Sequence, residues 1–543
     1  MDLSKYNNYE DIKANFKWDI PEIYNMATRC LSEWANDRAL VAIFYEDEQG
    51  NKETVTFWQL EKLTNQFANL LQSLGIQKGD RVGIILPQCP EAAAAHLAIY
   101  KLGAIAVPMS MLYGPDSYEY IMNNNGMKAV VVDASSAPKI RQIKDAVSTL
   151  EHLIIRGEAS AGETSLFETL PTMSTQFEAV GTTSADPALL LYTSGTTGHP
   201  KGALHSHKIL EGYLLSVRLF YNIDFDASTV FWTPSDWAWV GGLLDVLLPA
   251  LAWGKPTLAY NGRFSVEKGY ELMSRYGVTH VFLAPTALKM LAQVSKPKEK
   301  YDLDIRVIAS GGESVADEVL KWSQEELGAV CNEFYGLTEV NHLAGSCAKL
   351  WPVKPGSMGK AYPGREVDIV DETGKSMGPG EIGEIVVRPG DPTQMLEYWN
   401  NPEATASKHK NGWILTGDMA YRDEEDFIFF KGRDDDMIGS AGYRIGPAEV
   451  EEALMRHDAV AEAAVVGSPD PMRGQVVKAF IELAEGAEAS EELVSDLQQF
   501  VKTNLAAYKY PREIEFVQNL PKTTTGKLNR KQLRQLEQER KNG

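Results

Sequence analysis

The run Tyr192-Thr193-Ser194-Gly195-Thr196-Thr197-Gly198-His199-Pro200-Lys201-Gly202 concentrates groups able to hold a polyphosphate. Gly195 and Gly198 let main-chain N–H groups turn toward an anion, which a residue carrying a Cβ does only at a cost. The hydroxyls of Thr193, Ser194, Thr196 and Thr197 add donors, and Lys201 adds a positive charge on a flexible stem. The spacing is not that of a Walker A loop, because Pro200 precedes the lysine and Gly202 follows it. The plain alternative is a Gly/Thr turn joining two strands.

Further stretches carry chemistry of the same kind, each with an ordinary reading beside it. Ser310-Gly311-Gly312-Glu313 follows a predicted strand and by itself reads as a strand-to-helix turn. Tyr335-Gly336-Leu337-Thr338-Glu339 offers a carboxylate; a hard divalent cation takes oxygen ligands and shares them with phosphate. A lone Thr-Glu is more often a surface pair. Thr416-Gly417-Asp418 follows the strand-like Trp413-Ile414-Leu415, where Asp418 alone would stabilise its own turn. Pro521-Lys522-Thr523-Thr524-Thr525-Gly526-Lys527-Leu528-Asn529-Arg530 reads by itself as a basic, solvated loop before a helix.

Three of these strings are long, stand in a fixed order and span nearly the whole chain. Together they resemble the signature motifs of the adenylate-forming superfamily, which comprises acyl-CoA synthetases, luciferases and nonribosomal adenylation domains. The resemblance implies roles residue by residue. The main chain of Gly312, Glu313 and Ser314 would lie against adenine, with Glu333 facing its exocyclic amine and Tyr335-Gly336 packing nearby. Thr338 would touch the α-phosphate and Glu339 would hold Mg²⁺. Asp418 would accept the ribose hydroxyls with Arg433 beside it, and Asp435 would be a hinge, the alternative being an ordinary linker residue. The stretch from Ser440 to Glu451, including Gly442 and Arg444, resembles the loop that meets the pantetheine of CoA. Lys527 would reach the attacking carboxylate and the α-phosphate, where a point charge suits the negative charge gathering in the transition state.

What the resemblance implies is ATP-dependent joining of a carboxylic acid to CoA through an acyl-adenylate, with ATP, Mg²⁺ and CoA required. Thr338, Glu339, Lys201 and Lys527 would carry the first step by positioning and charge neutralisation. The acyl pocket would fall at Trp239, Val240, Gly241, Gly311 and Gly336. Acetyl-CoA synthetases place a tryptophan where this chain has Gly336, so an open floor and an acid larger than propionate are expected. The tract from Thr233 to Gly242 looks closer to medium-chain acyl-CoA synthetases, although core packing explains Trp237 equally well. Three alternatives stand beside this reading: loading of a carrier protein, an acetate or propionate ligase, and an inactive adenylate-binding regulator. Acetylation of Lys527, which would delete its charge, is an expected means of regulation.

These residues need a scaffold. Ala188-Leu189-Leu190-Leu191 reads as a buried strand leading into the Gly/Thr run. Arg81–Leu86, Ala104–Pro108 and Ala129–Val132 read as strands, with a helix from Cys89 to Leu102 and a hairpin around Asp47–Asn51. A second round follows at Val230–Trp232, Thr257-Leu258, Val278–Phe282 and Arg306–Ala309. Strands alternating with helices predict an α/β fold with doubly wound parallel sheets. The apolar segment Ala238–Trp253 contains Asp245 and Pro249 and is predicted to be a core helix. Residues 157–187 are polar and predicted to be loop, and 358–389 show short strands and glycine turns, a β-rich subdomain. The domains expected are 1–434, a large adenylating domain, and 435–543, a small mobile α+β domain. The terminal Lys-Glu-Arg run is expected to be a solvated helix end.

Length alone, 543 residues, predicts more than one domain. A net charge of −21 argues against nucleic acid or an anionic membrane as the main partner. It also opposes ATP and CoA, so Lys201, Arg433 and Lys527 must outweigh the overall field locally. Cys30, Cys89, Cys331 and Cys347 form no C-x-x-C pair or metal-ligand spacing, which fits buried thiols in a reducing compartment. The first residues lack a basic region followed by an apolar one, so a cytoplasmic location without a signal peptide or membrane span is expected.

Overall fold

The structure is a computed structural model that describes residues 3–193, 200–433, 436–440, 443–470, 473–505, 508–523 and 527–542. The chain divides into two compact units, Met1–Glu366 with Arg388–Gly412, and Val367–Val387 with Trp413–Gly543. The fold is mixed α/β as expected.

The first unit is built on two sheets whose strands alternate with helices. One sheet has the order Glu397–Tyr398, Lys201–Ser206, Pro187–Thr193, Ile105–Pro108, Arg81–Ile85, Ala129–Asp133, His152–Arg156 and Thr164–Ser165. Its middle is parallel, and Lys201–Ser206 and Glu397–Tyr398 close one edge antiparallel. The parallel strands are valine- and isoleucine-rich and buried throughout, as a sheet covered on both faces requires. Pro90–Lys101 supplies one cover; it carries four consecutive alanines and is buried along its length except at Glu91. Helix Phe57–Ser73 begins in a reciprocal Thr56/Gln59 capping box. Its amide side chains Asn65, Gln66 and Asn69 donate to carbonyls of residues 170–176 and hold the polar segment down. That segment is irregular apart from the short strand Thr164–Ser165 and helical turns over 166–172.

The other sheet runs Lys360–Ala361, Asn341–Gly345, Val330–Leu337, Val307–Gly311, His280–Phe282, Phe231–Trp232, Thr257–Asn261, Val41–Asp47 and Lys52–Thr56. Lys52–Thr56 is the return strand of the hairpin predicted around Asp47–Asn51. The predicted core helix is present as Val240–Gly242, Leu243–Leu247 and Leu248–Ala252, whose middle part is π-helical. Asp245 sits in that π turn, buried, 3.0 Å from His342 Nε2, and the other ring nitrogen meets Ser216 Oγ at 2.9 Å. A buried carboxylate paired in this way explains how an otherwise apolar helix tolerates a charge.

In the second unit, antiparallel strands Val367–Val370 and Gly383–Val387, from the expected β-rich stretch 358–389, pair on with Trp413–Arg422 and Ile428–Arg433, while Lys360–Ala361 belongs to the first unit's sheet. A further sheet joins Tyr443–Ile445, Ile438–Ser440, Gly474–Leu483 and Val460–Asp470, with Glu513–Phe516 parallel to Gly474–Leu483. Helices Pro447–Met455 and Glu491–Asn504 cover an apolar cluster that includes Ile438, Leu454, Val465 and Leu497. Gly446 packs on the Lys431 carbonyl, closer than a Cβ allows, and Lys431 Nζ pairs with Glu449 at 2.9 Å. The terminal helix Arg530–Asn542 ends exposed over residues 538–541, as expected, but one of its charges turns inward. Glu537 is buried against Lys478 (2.7 Å) and Ser468 (2.9 Å), and Arg540 pairs with Glu515 at 2.8 Å. Its charges face a strand surface rich in opposite charges, which a one-dimensional charge run does not reveal.

Candidate active site

The Gly/Thr run joins two antiparallel strands, Pro187–Thr193 and Lys201–Ser206. Thr193 and Lys201 stand opposite each other in register, and Thr193 Oγ1 lies 3.4 Å from the Lys201 carbonyl. Ser194, Gly195, Thr196, Thr197 and Gly198 lie outside the described residues. Leu190 and Tyr192 pack on Gly202, where a Cβ would stand 2.9 Å and 3.0 Å from their side chains. Glycine after the lysine is thus a packing requirement of the strand pair.

Strand Val330–Leu337 runs parallel to Val307–Gly311, with Ser310 opposite Glu333 and Gly311 opposite Phe334. It leads into a short turn carrying Thr338 and Glu339, and the chain returns antiparallel from Asn341 in a left-handed conformation, φ 54°. Asparagine is among the few residues that take that conformation at low cost. Its side chain is held at both ends, donating to the Thr393 carbonyl at 2.6 Å and accepting from the Tyr213 hydroxyl. Gly312 has φ +94°, and the exposed Gly312-Glu313-Ser314 turn precedes Val315, whose N–H donates to Glu333 Oε1 at 2.8 Å. Glu333 thereby fastens the expected adenine loop to the next strand. Tyr335 lies half-buried one residue before Gly336.

Glu339 is braced from a segment that the sequence did not single out. The Met395 N–H donates to the Glu339 carbonyl at 2.8 Å, and the Tyr398 hydroxyl donates to Glu339 Oε1. The Lys201 ammonium lies 5.4 Å from the centre of the same Tyr398 ring. Cation and carboxylate thus meet on one tyrosine, Lys201 from a strand of one sheet and Glu339 from the turn after a strand of the other. Behind Thr338 stands His205, whose imidazole is pushed down to about 4 by burial, partly offset by the Thr338 main chain. A single aromatic on a two-residue strand has no periodicity, which is why Tyr398 was not legible in advance.

An oxygen donor fixed by a phenol is the kind of ligand Mg²⁺ takes. Among the described residues no group of three or more His, Cys, Asp or Glu forms a cage. This donor set fits an ion that draws its remaining ligands from phosphates and water.

The expected open acyl floor needs correction. A Cβ at Gly336 would stand 2.2 Å from the Asn341 carbonyl oxygen, so this glycine lets two main chains approach and leaves no room for a side chain. At Gly311 the Phe334 ring occupies the Cβ direction at 2.6 Å, and at Gly241 the Phe282 ring does so at 2.5 Å. The two rings lie 5.8 Å apart. Val240 and Trp239 are half-buried, and Trp239 meets Tyr113 edge-on at 6.0 Å. Trp237 is buried in the core, the ordinary alternative.

In the second unit Asp418 and Arg433 stand opposite each other across antiparallel strands, with Arg433 Nη1 3.0 Å from Asp418 Oδ1. The sequence pairing of these two residues is a spatial one. Lys527 is exposed in a loop closed by the Thr523 N–H donating to its carbonyl at 2.7 Å. Arg444 belongs to strand Tyr443–Ile445, opposite Gly439, while Gly442 and Asp435 lie outside the described residues. No helix among the described residues is long and apolar enough to cross a membrane.

Comparison with known proteins places this geometry. Residues 29–399 match the AMP-binding enzyme family, and residues 449–527 match the AMP-binding enzyme C-terminal domain. The chain is 37% identical to the uncharacterized acyl-CoA ligase YtcI of Bacillus subtilis, over 96% of this chain and 97% of that protein. It is 35% identical to the mitochondrial acyl-coenzyme A synthetase ACSM3 of Mus musculus, over 98% and 94%. The solved anthranilate CoA ligase AuaEII, in complex with anthranoyl-AMP, superposes with a TM-score of 0.85 at 30% identity, covering 96% of this chain and 98% of that one. The chain belongs to the AMP-binding enzyme family, within its AMP-forming acyl-CoA synthetases.

Proposed function

We propose that this ATP-dependent acyl-CoA synthetase activates a carboxylic acid larger than propionate, through an acyl-adenylate made with the residues singled out from the sequence. The observation that carries the reading is Lys201 and Glu339 meeting on one tyrosine, Tyr398. Lys201 offsets charge on the departing pyrophosphate, Thr338 donates to the α-phosphate, and Lys527 steadies the attacking carboxylate. Mg²⁺ held through Glu339 would neutralise phosphate charge. Asp418 and Arg433 orient the ribose, and Gly312, Glu333 and Tyr335 surround adenine. A swing of the C-terminal segment about Asp435 then withdraws Lys527 and brings Gly442 and Arg444 to the pantetheine of CoA.

The size of the acid is inferred from the relatives, because the Cβ space at Gly241, Gly311 and Gly336 is taken by rings and main chain. The anthranoyl-AMP bound to AuaEII supports a pocket wide enough for a ring. Four buried, unpaired cysteines support a cytoplasmic setting, and the exposure of Lys527 supports its acetylation as a control. The test is a panel of acids from acetate to dodecanoate, with branched and aromatic acids, scored for acid-dependent pyrophosphate release and CoA thioester. Preference for acetate would overturn the size assignment. Equal turnover with a carrier protein in place of CoA would overturn the choice of acceptor.

A further inference from the structure

The segment from Asp391 to Trp399 touches both halves of the phosphate end of the site. On one side the Leu396 N–H donates to the Leu204 carbonyl and the Trp399 N–H to the Gly202 carbonyl, each at 2.7 Å. On the other, Met395 bonds the Glu339 carbonyl and the Thr393 hydroxyl bonds the Val340 carbonyl at 2.8 Å. The strap is itself anchored by a buried ion pair, Arg365 Nε to Asp391 Oδ2 at 2.9 Å. Asp391 Oδ1 also accepts from the Thr393 N–H at 2.7 Å. At the end of the strap Tyr398 is buried, 4% exposed, with its hydroxyl on Glu339 and its ring face toward Lys201.

We propose that Tyr398 is a positioning residue that holds Glu339 in the orientation Mg²⁺ needs while keeping Lys201 from neutralising it; this rests on the assignment of Glu339 to the metal. Two opposite charges brought to one side chain from two sheets tend to collapse onto each other, and a phosphate would then have to break the pair before binding. Among the described residues no ion pair joins Lys201 to Glu339. Tyr398 meets each with a different part of itself. The O–H donor turns the carboxylate, and the electron-rich ring face satisfies the ammonium without a counter-ion. A hydrogen-bond partner that orients a metal ligand characteristically changes metal affinity far more than it changes the fold.

Tyr398→Phe keeps the ring and removes only the hydroxyl. The Mg²⁺ concentration for half-maximal pyrophosphate release should rise about tenfold, the ordinary effect of losing a residue that orients a ligand. Calorimetric titration with ATP gives a readout that needs no turnover. Affinity in EDTA should stay within about twofold of wild type, while the gain in affinity on adding Mg²⁺ should shrink about tenfold. Tyr398→Leu, which also removes the ring, should weaken ATP binding in EDTA as well. Thr405→Val is the control, because Thr405 Oγ1 accepts the Tyr398 main-chain N–H at 2.9 Å and touches neither charge. It loosens the strap and should leave the Mg²⁺ midpoint unchanged. A Thr405→Val shift equal to that of Tyr398→Phe would reduce Tyr398 to a structural role and overturn the proposal. So would a Tyr398→Phe enzyme whose Mg²⁺ dependence matches wild type. Wild-type ATP binding indifferent to Mg²⁺ would instead overturn the assignment of Glu339 to the metal.

Discussion

Glu339 and Lys527 are both charged residues that the family motifs nominate, and the molecule treats them oppositely. Glu339 sits on a turn whose main chain is bonded to a strap and whose carboxylate is bonded to a buried tyrosine. Lys527 projects from an exposed loop in the other unit, held through the main chain at Thr523. A group that must present the same oxygen to a metal gains from being braced, since misplacement by an ångström weakens positioning severely. A group used in one half-reaction and withdrawn in the next must be able to leave.

The largest expected effect tests that difference directly. Lys527→Ala should lower acid-dependent pyrophosphate release by on the order of 10²–10³-fold, the scale for removing one charge-stabilising donor. Thioester formation from supplied acyl-AMP should survive within a few-fold. Half-reaction assays decide it, and equal loss of both would break the comparison. Thermal unfolding should not move, because Lys527 is exposed.

At the braced end the order of effects reverses. Asp391→Ala strands the buried Arg365 guanidinium and should cost about 3–5 kcal/mol of stability, the scale for breaking a buried pair from one side. Denaturant unfolding measures this. A loss under about 1 kcal/mol would place the strap among exposed ion pairs and blunt the contrast.

The pocket gives a smaller effect. Gly336→Trp should depress turnover of every acid alike, because its Cβ meets the Asn341 main chain beside Glu339. Phe334→Ala opens the space over Gly311 and should move preference toward longer acids by about tenfold in kcat/KM, the scale for one or two methylenes. Selective survival of acetate in Gly336→Trp would restore the open-floor reading.

The smallest concerns pH. Burial depresses His96 and His280 to about 3 and His205 and His207 to about 4. Below pH 6.5 the unfolded chain binds protons that the folded chain refuses, so stability is whole above that value and falls with pH toward 4. Each histidine contributes at most about 1.4 kcal/mol per pH unit in that window. Melting temperatures measured from pH 8 to 5 should begin to drop near pH 6, before carboxylates protonate. Replacing His280 by Gln should reduce the slope.

Much was legible in advance because it depends on local chemistry. The strand before the Gly/Thr run and the α/β alternation follow from spacing, and the family resemblance alone placed Asp418 beside Arg433, fifteen positions later. Glycine itself was ambiguous. Gly336, Gly311 and Gly241 look alike in a string, yet one makes way for a carbonyl and two for phenylalanine rings, and only the folded neighbours tell which. Charge was ambiguous in the same way, since nothing in the charged terminal run tells the exposed Arg540 from Glu537, which is buried against Lys478. Tyr398 is the sharpest case. Its sequence neighbours hold no signal, because its two partners lie 197 and 59 residues away and meet it only when the strap crosses the sheet edge. Spacing determines which chemistry a chain can attempt; long-range packing decides which of its groups are held still to perform it.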